Sequence, residues 1–240
     1  MAAGQTRGLL IPMFQVVLFE LEGVLADTRN SRQRALQETL AQDGVRLPDG
    51  AYEAYADLPV RSAVAAALAT VSIEPDEIAI DLATLRAERR FAEHVALGLT
   101  MCDGARELVA HLAGRVRLGV VTRATRREAV SMLSVAGLEF AFECVIGADD
   151  AISAKPAAAQ YDLALRTMSR LRPVAAAATL ALEDGPVGIR AARAAGLRCL
   201  AVGALPAHRA MQAEGLLPTL RGHTLATLEG VVLRPEERLA

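Results

Sequence analysis

The sequence predicts an α/β protein, a parallel sheet flanked by helices with a small helical domain inserted, and three observations predict it. Apolar runs that read as buried strands (16–19, 116–121, 175–182 and 197–202) are separated by helical stretches rather than by tight hairpin turns. Three of these runs deliver polar residues at their ends: Glu20 and Glu22, then Thr122, then Glu183 and Asp184. Between the first and second runs, residues 30–98 read as helical without a strand of their own.

Taken in order, residues 1–14 read as a loosely packed leader ahead of the first strand. Residues 31–43 carry Leu36 and Leu40 one turn apart, with Gly44 as a helix stop. An alanine-rich helix follows at 60–71. Pro75, Asp76 and Glu77 then open a helix that ends near Gly98, with Ile78, Leu82 and Leu85 as its apolar face. After the strand ending at Thr122, Thr125 and Glu128 have the spacing of a capping box. A short strand is expected near Val145 and Ile146, a helix at 206–215, and a final strand or helix in the tail. The expected division is a core of residues 1–29 and 99–240, interrupted by residues 30–98.

Composition narrows the function. The 240 residues are 52% apolar, enough for a packed core, and the net charge of -2 argues against a nucleic-acid partner. No apolar run reaches the roughly 18 residues of a membrane span. Cys102, Cys144 and Cys199 are scattered without CxxC spacing, and the four histidines form no metal-ligand pattern, which suits a reduced cytoplasmic setting. Nothing in the sequence specifies an oligomeric state.

The chemistry starts at VVLFELEGVLADT, residues 16–28. A buried strand ending in two closely spaced acids is costly unless a cation sits there, and magnesium suits such oxygen donors. Thr122 lies between a strand end and a helix start, where a hydroxyl and backbone amides can hold an anion. Lys155 is the only lysine among 26 Lys+Arg residues. A compact ammonium that must meet a point charge cannot be replaced by the wider guanidinium fork. Glu183 and Asp184 precede GPVGIRAARAAG, where Gly188 permits close backbone approach and Gly196 ends the helix.

These segments resemble, in order, the four motifs of the haloacid dehalogenase (HAD) superfamily, in its phosphoglycolate phosphatase and β-phosphoglucomutase-like branch. The first family motif is D-x-D-G-[TV]-[LV]-x-D-[ST]; this chain has Glu20 and Glu22 at the two leading acids. Thr122 matches the second motif, and Lys155, Pro156 and Tyr161 match the third, with Ala158 in place of a proline. Glu183, Asp184 and the following helix match the fourth, with Gly185 in place of serine.

The resemblance implies a Rossmannoid core with a helical cap and a Mg2+-dependent phosphomonoester hydrolase acting on a small phosphorylated metabolite. It implies Glu20 as nucleophile, Glu22 as acid and base, Thr122 and Lys155 as phosphate ligands, and Glu20, Glu22, Glu183 and Asp184 as metal ligands. Glutamate is one methylene longer than aspartate, so altered or weak turnover is expected. The alternative is a catalytically silent relative that binds a phosphorylated ligand or a protein partner. A dehalogenase ranks third.

Overall fold

In the computed structural model, the structure describes residues 12–48, 50–56, 58–70 and 77–233. Six parallel strands form the central sheet in the order β5-β4-β1-β6-β7-β8. They are β1 (Val16–Phe19), β4 (Arg117–Val121), β5 (Cys144–Ile146), β6 (Thr179–Glu183), β7 (Arg198–Val202) and β8 (Leu216–Leu217). Strand β1 is buried along its whole length because it lies between β4 and β6 with helices over both faces. This explains why it reads as an unbroken apolar run rather than an alternating one.

Successive residues of β1 serve opposite faces. Val17 and Phe19 join Phe14 in a core with helices α4 (Ala105–Leu112), α5 (Arg126–Val135) and α9 (Leu225–Leu233). Val16 and Leu18 join the other core, with α6 (Ala159–Ser169) and α7 (Pro186–Ala194). Phe19 stands level with Val120 of β4 and Leu182 of β6. The residues that follow those strands therefore emerge at one edge of the sheet.

Helices α1 (Arg29–Gln42), α2 (Val60–Ala69) and α3 (Glu77–Leu97) pack around a separate cluster that includes Leu40, Tyr52, Val64 and Ala83. The chain enters this block through β2 (Ala26–Asp27) and leaves it through β3 (Thr100–Met101), which pair antiparallel. Sequence pattern does not reveal that two-residue ribbon.

Four expectations are corrected. Ile78, Leu82 and Leu85 of α3 are exposed at 70%, 55% and 61%, whereas Ile80, Ala83, Ala87, Phe91 and Val95 are buried. The buried stripe has the same helical period but is rich in alanine, which lets α1 and α2 approach closely. The strand expected over 175–182 begins only at Thr179, after a 3-10 turn at Ala176–Ala178. The helix expected over 206–215 is limited to α8 (Ala207–Ala210), and the chain soon joins the sheet as β8. Residues 12–14 are not loosely packed: Phe14 is fully buried and its amide donates to Glu229. Val71, Pro75, Asp76 and the leader up to residue 11 lie outside the described residues.

Candidate active site

Glu20 extends β1 by one residue, its amide donating to the Leu182 carbonyl. Its side chain turns back, so that Oε1 accepts from the Leu21 amide at 2.8 Å and Oε2 accepts from Lys155 Nζ at 2.8 Å. The Lys155 ammonium also donates to Glu183 Oε1 at 2.6 Å and to the Val121 carbonyl at 2.9 Å. Three acceptors use all three ammonium donors. Burial alone would lower the Lys155 pKa, but Glu183 and Glu20 raise it above the usual lysine value.

Gly188 at the start of α7 makes this cluster possible. A Cβ there would stand 1.9 Å from Glu183 Oε2. Tyr161, on α6 and six residues after Lys155, donates its hydroxyl to the same Glu183. Glu183 thus lies behind the lysine, while Asp184 lines the cavity. The Asp184 carboxylate sits against Gly23, where a Cβ would come 2.4 Å from Oδ2; Gly23 has φ +82°. The Asp184 carboxyl is pushed up to about 7 by burial and by the neighbouring Glu20 and Glu183.

Thr122 is fully buried, with Oγ1 accepting from the Ala124 amide at 3.2 Å, and it lines the same cavity. Gln160 supports it, donating to the Thr122 carbonyl at 2.7 Å and to the Gly147 carbonyl at 2.9 Å. The expected capping box of Thr125 and Glu128 opens α5.

Glu22 has a different environment. Arg32 of α1 holds it through two contacts, Nη2 to Oε1 at 2.6 Å and Nε to Oε2 at 3.1 Å, and Thr28 donates to it at 2.6 Å. Burial pushes the Glu22 carboxyl up, but Arg32 and Thr28 outweigh it and hold the pKa below the usual value. Arg32 also reaches Glu128 of α5 at 3.0 Å and lies 3.4 Å over the Phe91 ring of α3. One guanidinium therefore joins the helical block to the core.

The structure thus brings Glu20, Lys155 and Glu183 into direct contact and places Thr122 and Asp184 on the same cavity. Glu22 also lines that cavity, within a separate ion pair. Sequence reasoning missed Arg32, Gln160 and Arg123. Arg123, next to Thr122, lines the cavity and lies in the field of Asp184, Glu20, Glu183 and Glu22. Cys102 is another lining residue; burial, with Asp27 and Asp184, pushes its thiol up to about 12, so it is no thiolate nucleophile at neutral pH.

Among the described residues, no three His, Cys, Asp or Glu side chains converge as a ready metal cage. Magnesium does not require one, since it uses one or two carboxylates and keeps several waters. Glu20 and Asp184 meet that requirement: both are carboxylates on the cavity, and burial beside Glu20 and Glu183 pushes the Asp184 carboxyl up.

A parallel sheet whose central carboxyl edge joins a lysine, a threonine and several carboxylates beside a helical insertion defines a Rossmann-like α/β protein with a ligand site at its strand ends. The model of the haloacid dehalogenase-like hydrolase family matches residues 17–202, and the chain belongs to that family. It is 30% identical over 190 residues to validoxylamine A 7'-phosphate phosphatase of Streptomyces hygroscopicus subsp. limoneus, covering 78% of this chain and 85% of that protein. It is 31% identical over 191 residues to phosphoglycolate phosphatase of Rhodospirillum rubrum, covering 77% and 78%. The crystal structure of CbbY from Rhodobacter sphaeroides, in complex with phosphate, aligns with a TM-score of 0.79 at 27% identity, covering 90% of this chain and all of that one. No helix of the described residues is long and apolar enough to cross a membrane.

Proposed function

We propose that the chain is a Mg2+-dependent phosphomonoester hydrolase acting on a small phosphorylated metabolite. The observation that carries this reading is the Lys155 ammonium held 2.8 Å from Glu20 and 2.6 Å from Glu183, residues 135 and 28 positions away in sequence. A fixed cation beside a buried carboxylate at a strand end provides a nucleophile and a counter-charge for a phosphoryl group in one place. Both of the relatives described above at 30% and 31% identity are named as phosphatases, which supports the same chemistry.

Glu20 attacks phosphorus, the ester oxygen departs, and water then hydrolyses the glutamyl phosphate. Thr122 and Lys155 hold the non-bridging oxygens, Lys155 exchanging one of its present acceptors for phosphate. Glu22, released from Arg32 and protonated from solvent, gives that proton to the leaving oxygen and later takes one from the attacking water. Glu20 and Asp184 would hold Mg2+, which would supply charge neutralisation on the phosphoryl oxygens, whereas Glu183, bound by Lys155 and Tyr161, and Glu22, bound by Arg32, are engaged elsewhere. Glu183 and Tyr161 position the lysine from behind. In this reading residues 30–98 form a cap that excludes water, residues 1–29 and 99–240 form the core, and the protein works in the cytoplasm with reduced cysteines.

A second reading, a silent relative that binds a phosphorylated ligand or a protein partner, has a specific observation in its favour. Glu22 is charged and held by Arg32 and Thr28, so the acid needed for turnover is engaged elsewhere. A side chain misplaced by about 1 Å can cost on the order of 100-fold in rate. Phosphate release from a panel of phosphomonoesters, with and without Mg2+, separates the readings. The hydrolase requires release that Glu20→Gln abolishes. Release seen only after the paired Glu20→Asp, Glu22→Asp change supports the silent relative.

A further inference from the structure

Resting on the phosphoryl site proposed above, we infer that the substrate's leaving alcohol is uncharged and carries a ring, and that the site disfavours a second anionic group. The cavity over Glu20, Lys155 and Asp184 has a volume of about 870 Å³. That is near the top of the roughly 300–1,000 Å³ range of small-molecule pockets, far more than a phosphoryl group fills. The helical block contributes Leu36, Tyr52, Tyr55, Leu58 and Phe91 to its wall. Among the described residues, no hydrogen bond engages the hydroxyls of Tyr52 and Tyr55. Aromatic bodies with available polar tips suit a ring with polar substituents.

Charge disfavours the other class. Arg29 meets Glu53, Arg32 meets Glu22 and Glu128, and Arg61 meets Glu77 and Asp81. Lys155 is bound by Glu20 and Glu183, and Arg123 lies in the field of Asp184 and Glu20. Carboxylates outnumber cations in the lining. A carboxylate or second phosphate on the substrate would have to compete with these carboxylates for a counter-charge, whereas a neutral ring would not.

The test compares two non-hydrolysable probes with the same head group, benzylphosphonate and phosphonoacetate, by titration calorimetry on the full chain. Benzylphosphonate is expected to bind at least tenfold tighter. Tyr55→Ala, at a half-buried position packed against the helical-block cluster, should remove most of that advantage with little change for phosphonoacetate, and a thermal midpoint well above the assay temperature shows that the variant is folded. Equal or tighter binding of phosphonoacetate overturns the inference, as does a Tyr55→Ala variant that keeps the full preference. Failure of both probes to bind removes the phosphoryl site along with it. Hydrolysis is measured separately. Release from phosphoglycolate ahead of benzyl phosphate overturns the substrate class and leaves the hydrolase. A clear preference in binding without release from either ester leaves the class and removes the hydrolase.

Discussion

The two carboxylates Glu20 and Glu22 are separated by one residue, yet they belong to different parts of the molecule. Glu20 is 1% exposed and is fixed by backbone register: β1 lies between β4 and β6, and Lys155 reaches it from the loop before α6. Glu22 is held by a side chain from the helical block, Arg32, whose own position depends on Phe91 and Glu128. A site fixed by strand pairing keeps its geometry unless the sheet opens. A contact made by one long side chain between two packed units can be exchanged when those units shift. The charge-bearing half of this cavity is therefore rigid, and the half carrying the candidate acid is adjustable.

Removing the lysine should give the largest effect. Lys155→Met leaves Glu20 and Glu183 buried without their cation, and breaking a buried pair in this way costs about 3–5 kcal/mol. Urea denaturation should show that loss, and adding Glu183→Gln should recover part of it. Arg32→Gln, whose partners are only partly buried, should cost clearly less. Equal losses would mean that the helical-block contact is as integral to the fold as the sheet edge.

The next effect is one of pH. Asp184 holds its proton up to about 7 in the folded chain, against an ordinary value of 3.8. Between those values the folded state binds the proton and the unfolded state has released it, so stability falls as pH rises through that window. The loss is on the order of a few kcal/mol. Thermal melts of the metal-free protein should therefore decline from pH 4 towards pH 7. Mg2+ should raise the midpoint more at pH 8 than at pH 5, because it competes with the proton. Asp184→Asn should flatten both responses; a pH dependence left unchanged in that variant would remove Asp184 as a proton-holding group.

Much of the rigid half was legible in the sequence because its requirements are local. Strand ends carrying acids, Gly188 where Glu183 leaves no room for a Cβ, and a single lysine are each visible as residue types at fixed spacing. The adjustable half was not, since Arg32 is one of many arginines and only tertiary packing selects it. The β2-β3 ribbon has two residues per strand, too few to show a period. The face of α3 was misread for a related reason. Ile78, Leu82 and Leu85 are the more hydrophobic stripe, but Ala83 and Ala87 are the positions where neighbouring helices come close.

That last distinction gives the smallest expected effect and a sharp comparison within one helix. Ile78 is 70% exposed and Ile80 is 7% exposed, two residues apart at the start of α3. Ile78→Ala removes side-chain atoms that are largely in water already, so the stability change should stay within about 0.5 kcal/mol. Ile80→Ala empties a position packed among Leu40, Val64 and Leu68 in the helical-block cluster, for which about 2–5 kcal/mol is typical. The two variants share residue type, helix and propensity change, so intrinsic helix preference cancels from their difference. Denaturation curves that rank them the other way round would place Ile78, Leu82 and Leu85 on the buried face after all, and the wall of the cavity formed by α3 would have to be redrawn with them.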